Sequence, residues 1–197
     1  MLMNNVGDYE RTLKIYADGL VAFGFSPDGQ KVAMINGFQG LDTVIQGQLT
    51  VMDLNDPEKT YTTEVEDVVG FFWSPDSERL AYFTYNSYNV VDSSAPEGEG
   101  QPEVTLNLMK LFVYGHEENT AQEHSEFFRT SDQFIDVIRF FDQYQHSATI
   151  WSPDSRYIVV PVVPFSTNVP EIWLMSGKTN LQPRMINQGV LAFWSWE

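Results

Sequence analysis

Short apolar runs, each ending in the same polar turn, dominate the pattern of this chain. Residues 21–25 (VAFGF) lead into Ser-Pro-Asp-Gly and then the apolar run 32–35. Residues 68–73 (VVGFFW) lead into Ser-Pro-Asp-Ser and then 80–83, and residues 149–151 (TIW) into Ser-Pro-Asp-Ser and then 157–160. Pro presets φ at the first turn position, Asp can bond its own backbone, and Gly29 can take a positive φ. Ser77 and Ser155 stand where Gly29 does, so a positive φ is not required of this position by residue type. After the turn, Val32, Leu80 and Ile158 align, as do Met34, Tyr82 and Val160. That is the alternation of a half-buried strand.

The copies repeat at a fixed period. The turn serines are Ser26, Ser74, Ser152 and Ser195, separated by 48, 78 and 43 residues. An apolar-Met pair precedes each, at Leu2-Met3, Val51-Met52, Leu108-Met109 and Leu174-Met175, by 23, 22, 43 and 20 residues from Met to Ser. The long interval marks an insertion of about 21 residues in an otherwise regular unit. A unit of about 40–48 residues fits one four-stranded blade of a β-propeller. The expected fold is all-β: blades of four antiparallel strands, three full and one partial at each end. Residues 1–19 would end a preceding blade. Blade 1 would span 20–67, blade 2 68–147 with its insertions, and blade 3 148–189. Residues 190–197 would begin a further or closing blade. Open strand edges need cover, so completion by missing blades or by a second copy is expected.

The insertions fall on one side. In such a blade the second-to-third-strand and blade-to-blade connections share a face. The stretches 36–47 and 86–103 are read as long loops there, and 164–170 joins them. The insertion in blade 2 is placed after a fourth strand near 125–129. It holds SDQFIDVIRFFDQY at 131–144, where Ser131 or Asp132 can cap a short helix and Phe134, Val137, Ile138, Phe141 and Tyr144 form its apolar stripe. Loops on a rigid scaffold are where binding concentrates. The candidate partner face comprises Phe38, Tyr88, Asp92, Asp142, Tyr144 and His146, the last three near the mouth of the axial channel. The alternative for 134–144 is a plug that covers the sheet.

Charge narrows the partners. The formal net charge of −16 repels nucleic acid and anionic lipid and leaves a basic partner as the charge-matched one. No apolar run reaches the roughly 20 residues needed to insert in a membrane, and residues 1–14 lack the pattern of a signal peptide. There is no Cys, so disulfides and thiolate metal sites are excluded.

Catalytic motifs are not evident. Asp28, Asp76 and Asp154 recur because the turn recurs, one to a blade, not as a carboxylate pair across a bond. His116 and His124, beside Glu117, Glu118, Glu123 and Glu126, read as solvated turn charges, without the spacing of a metal motif. Acidic residues of 92–103 do not match a calcium loop. No catalytic residue, metal ligand or cofactor is assigned.

The signature WSPDSERLAYF at 73–83, with GFSPDGQKVAMI at 24–35 and WSPDSRYIVV at 151–160, resembles the WD40-like repeat of TolB-type β-propellers. Val159 stands in the usual Ala place, and Trp196 and Glu197 replace Pro and Asp in the last copy. The resemblance implies six or seven blades in a full ring, of which this chain is about half. It also admits an extracytoplasmic location. Similar propellers serve as protein-binding modules, gate prolyl-oligopeptidase-type hydrolases, or form lyases with a His-ligated metal. The motif residues are structural, so no functional residue is carried over. The expected function is therefore a non-catalytic module that binds a protein or peptide through the long-loop face. The alternative is a lyase or hydrolase accessory domain with a channel-mouth site near Asp142, Tyr144 and His146.

The repeat places Trp73 between blades. Trp73→Ala should cost about 3–5 kcal/mol in urea melts, as a buried aromatic does.

Overall fold

The Ser-Pro-Asp turn closes in the same way three times in the computed structural model, which describes residues 2–3, 9–11, 19–39, 45–91, 103–144, 149–178 and 181–195. In each copy the serine hydroxyl donates to the Asp carboxylate, at 2.5 Å for Ser26–Asp28 and 2.6 Å for Ser74–Asp76 and Ser152–Asp154. The same oxygen accepts the N–H of the residue that starts the next strand (Lys31, Arg79 and Tyr157) at 2.9–3.0 Å. The Ser152 hydroxyl, with Arg156, holds the Asp154 carboxyl down at about 2.

Antiparallel meanders grow from these turns. The first is β3 (Leu20–Phe25), β4 (Lys31–Gln39), β5 (Ile45–Asp53) and β6 (Thr60–Thr62). The second is β7 (Val68–Trp73), β8 (Arg79–Val91), β9 (Glu103–Gly115) and β10 (Thr120–Glu123). A third has β11 (Tyr157–Val162), β12 (Glu171–Ser176) and β13 (Arg184–Gln188). Its inner strand is reduced to one bridge, Trp151 to Ile158. β1 (Leu2–Met3) pairs with β2 (Tyr9–Arg11). The first two are β-propeller blades of four antiparallel strands, and the third has three strands and the bridge; the pairs Val51-Met52, Leu108-Met109 and Leu174-Met175 lie in β5, β9 and β12.

The post-turn strands are buried on both faces. Val32, Ala33, Leu80, Ala81, Ile158 and Val159 are all 4% exposed or less. The expectation of half-buried strands is therefore corrected: blades pack face to face, so alternate side chains meet a neighbour on either side. Alanine at the middle position keeps the approach close.

Two side-chain stitches join consecutive units. The Trp73 indole N–H donates to the Gly24 carbonyl at 3.3 Å, and the Trp151 indole to the Phe72 carbonyl at 2.9 Å. At the turns, the Asp28 N–H donates to Ser77 Oγ and the Asp76 N–H to Ser155 Oγ, both at 3.0 Å. Ser77 and Ser155 hold φ of 64° and 58°. The positive φ that residue type did not require is thus adopted, and the hydroxyl bond to the preceding unit accompanies it.

Three further expectations change. Residues 36–39 and 45–47 are paired strand, not loop, because Gly37 faces Gly47; a Cβ at Gly37 would lie 2.0 Å from the Gln46 carbonyl oxygen. Residues 86–91 likewise belong to a hairpin whose strands are 13 residues each, which leaves only 92–102 outside the described residues. The fourth strand of the second unit ends at Glu123, and Phe128 makes a single bridge to Met109 where that strand was expected. Residues 190–195 form no strand, although the Trp194 N–H donates to the Thr149 carbonyl at 3.0 Å.

Ser77→Ala should cost about 1–3 kcal/mol, since it leaves the Asp28 N–H unpaired and keeps the strained φ. Ser77→Gly loses the same bond but relieves the strain, so it should cost less. Urea melts that show no loss for Ser77→Ala would overturn the stitch, and a ranking of Gly at or above Ala in cost would overturn the strain at φ 64°.

Candidate functional site

The helical insertion forms as the sequence pattern expects. Helix α1 (Asp132–Arg139) starts at Ser131, whose Oγ accepts the Phe134 N–H, and α2 (Phe141–Tyr144) follows. Phe134, Val137, Ile138 and Phe141 are buried. They pack on β7 and its neighbours: Phe141 lies 4.7 Å from Phe71 and Phe134 5.4 Å from Phe83, centroid to centroid. A Cβ at Gly70 would meet Ile138 and Phe141 at 3.3 Å. The insertion thus covers the inner strand of the second unit. Tyr144 leaves the stripe and is 42% exposed, because Phe140 (φ −124°, ψ 30°) breaks the helical phase before α2.

The connections on this side are cross-braced. The Arg129 guanidinium donates to the Pro164 carbonyl (3.0 Å) and Asn168 Oδ1 (2.7 Å) and lies 4.3 Å from the Phe165 ring centroid. Thr130 Oγ1 donates to the Pro161 carbonyl, and the Val163 N–H to the Arg129 carbonyl. The Gln46 side chain donates to the Tyr85 carbonyl at 2.8 Å, which joins the first hairpin to the second. Asn86 bonds Asp67, and Ser131 Oγ donates to the Val190 carbonyl.

The expected face residues occupy separate elements. Phe38 is 59% exposed on β4 and lines a cleft of about 320 Å³ with Gly19, Gln48 and Glu66. Tyr88 on β8 makes an edge contact with Phe127 at 5.4 Å. Asp142 and Tyr144 are exposed on α2. Asp92 and His146 lie outside the described residues. The sequence reading missed a cavity of about 360 Å³ between the second hairpin and α1, lined by Tyr85, Asn107, Asp132, Asp136 and Arg139. The signal was there: Asp132, Asp136 and Arg139 fall on the helix face opposite the apolar stripe.

Of the two histidines flanking β10, His124 is buried and His116 half-buried. His116 Nε2 is 3.2 Å from Asp53 Oδ2 of the preceding unit. Burial pushes its pKa down, helped by Lys31 and Lys59 against Asp53 and Glu78. At neutral pH this is an imidazole N–H on a carboxylate, not an ion pair. His124 is 4% exposed; Nδ1 sits 3.1 Å from the Gln122 carbonyl, and Nε2 has no hydrogen-bond partner among the described residues. Burial lowers its pKa too, against the Gln122 contact. Among the described residues, no three His, Asp or Glu side chains converge to hold a metal, and no helix is long and apolar enough to cross a membrane.

No family model matches the chain, and no curated protein does. Solved structures that resemble it include the acylaminoacyl peptidase of Pyrococcus horikoshii, at 18% identity and a TM-score of 0.47 over 85% of this chain and 24% of that one. The β-propeller domain of the Trilobed protease from Pyrococcus furiosus, described as having an open velcro topology, gives 13% identity and 0.45 over 88% and 45%. The tricorn protease gives 12% and 0.45 over 87% and 15%. This chain therefore spans less than half the length of each.

Both histidines have folded pKa values below the ordinary value of about 6.5, so just below that pH the unfolded chain binds more protons. Stability should be whole above about 6.5 and fall as pH drops through the folded values. His124→Gln should flatten that fall in urea melts; an unchanged slope would mean His124 does not titrate with unfolding.

Proposed function

We propose that the chain is a TolB-like propeller module, without catalytic groups of its own, that holds a protein or peptide across its long-loop face. The three aromatic-Ser-Pro-Asp copies support the TolB-like part. One observation carries the binding part: large aromatics stay exposed on hairpin strands and connections that are braced to one another. Phe38 is 59% exposed, Phe165 55%, Tyr144 42% and Tyr88 37%. Arg129 pins the Phe165 segment, and Gln46 ties the hairpins that carry Phe38 and Tyr88. Rigid aromatic anchors lose little conformational freedom on binding and dominate protein interfaces. The alternative, a lyase or hydrolase accessory domain, would use Asp142 and Tyr144 of the same face, with His146 outside the described residues.

The reading includes completion of the open sides by further blades or a second copy. Leu20 and Phe23 on β3, and Met185 and Ile186 on β13, are each more than 40% exposed.

A displayed peptide library selected on the whole chain tests the face. Selected peptides should lose about tenfold or more in affinity for Phe38→Ser, Tyr88→Ser or Phe165→Ser, as interface anchors do, while melts stay unchanged because the side chains are exposed. Peptides that bind the triple variant as well as the parent would overturn the assignment.

A further inference from the structure

A second cleft, of about 520 Å³, opens between the outer strand of the second unit and the third unit. It is a different cavity from the one beside α1, and its reading does not depend on the loop face binding anything. Its apolar wall is Trp173, Met175 and Phe128, and its polar wall is Glu123, Glu126 and His124. Trp173 is half-buried with its indole N–H on Glu171 Oε2 at 2.9 Å, so its ring is fixed in place.

Three observations agree on the chemistry of the occupant. His124 is among the most buried polar side chains and lines this cleft and a smaller neighbour of about 100 Å³. With Nδ1–H on the Gln122 carbonyl, the unpartnered Nε2 is an acceptor, and burial keeps it neutral. Neutral and enclosed by its neighbours, it adds no positive charge to the wall of the cleft. Glu126 is exposed at the rim and supplies negative charge. The corner beside it already holds a cation of the chain itself: Lys110 Nζ sits 4.4 Å from the Phe127 ring centroid and 2.7 Å from Glu123 Oε2. Aromatic faces and carboxylates both favour a desolvated ammonium or guanidinium. The β10 strand beside the cleft pairs on one side only, with β9, so an extended backbone has an edge to lie along.

We propose that this cleft docks an extended basic segment of a partner polypeptide, with a Lys or Arg side chain seated between Trp173 and Glu126. The net charge of −16 draws such a segment in but does not place it. The cleft does.

Calorimetric titration of the whole chain with a blocked peptide of alternating arginine and alanine tests this, with the glutamate-for-arginine peptide as counterpart. The basic peptide should bind and the acidic one should not. Glu126→Gln, an exposed substitution that leaves the fold intact, should weaken binding about two- to fivefold, as loss of one exposed ion pair does. Trp173→Leu should weaken it about tenfold, as loss of an aromatic anchor does. Glu58→Gln with Glu64→Gln, exposed acids of the first unit, should change it by less than Glu126→Gln alone. The His124 ring resonances should shift on titration. No binding by the parent, equal binding of both peptides, or equal weakening by the first-unit control would overturn the proposal.

Discussion

The tryptophan that closes the inner strand of the second and third units is the contact on which the rest depends. An indole N–H buried between two sheets has to find an acceptor, since leaving it unpaired costs about 1–3 kcal/mol. In Trp73 and Trp151 the acceptor is the carbonyl one residue before the corresponding aromatic of the previous unit. The bond fixes how far one sheet slides on the next, and the large ring supplies the apolar burial. Gly177 is part of this device. A Cβ there would stand 2.2 Å from the Trp151 ring, so the third unit can accept the ring only with glycine at that point. Trp194 presents the same group, buried and without a partner among the described residues.

Electrostatics follow from the same register. Sliding the units into line brings Asp53 of the first beside His116 of the second, with Lys31, 4% exposed, near Asp28. Burial tends to raise the Asp53 carboxyl, but the amides of Asn55 and Asp56, with His116 and Lys31, outweigh it and hold the pKa down. An acidic chain thus buries one of its few cations, Lys31, beside Asp28, and leaves much of its surplus negative charge on exposed edges such as the rim beside Trp173.

The sequence made the units legible because their turns are chemically uniform. Ser, Pro and Asp each do one job in every copy, and the flanking apolar runs are short enough to be strands. What it hid was anything set by a partner distant in sequence. Residues 86–91 read as loop because they are polar, yet they pair residue for residue with 103–108 in the hairpin. A strand that leaves the core carries no apolar alternation to announce it. Ser77 read as a tolerated glycine substitute, because its value lies in Asp28, 49 positions away. Phe38 and Tyr88 read as loop residues and lie instead in the strands β4 and β8, while the Trp173 cleft was invisible, since its walls come from two units. The helix was legible in its stripe and misread only at Tyr144, beyond the break at Phe140.

The turn stitch has a direction. Each Asp N–H borrows a hydroxyl from the unit that follows it, and Gly29, at a φ of 68°, offers no hydroxyl to any unit that would precede it. The second and third units can receive such a bond; the first can only send one. Units that look interchangeable in sequence are therefore not so in assembly. Duplicating the first unit behind the second would break the line, whereas duplicating the second would extend it. The modular repeat carries an encoded order, written in whether one turn position is glycine or serine.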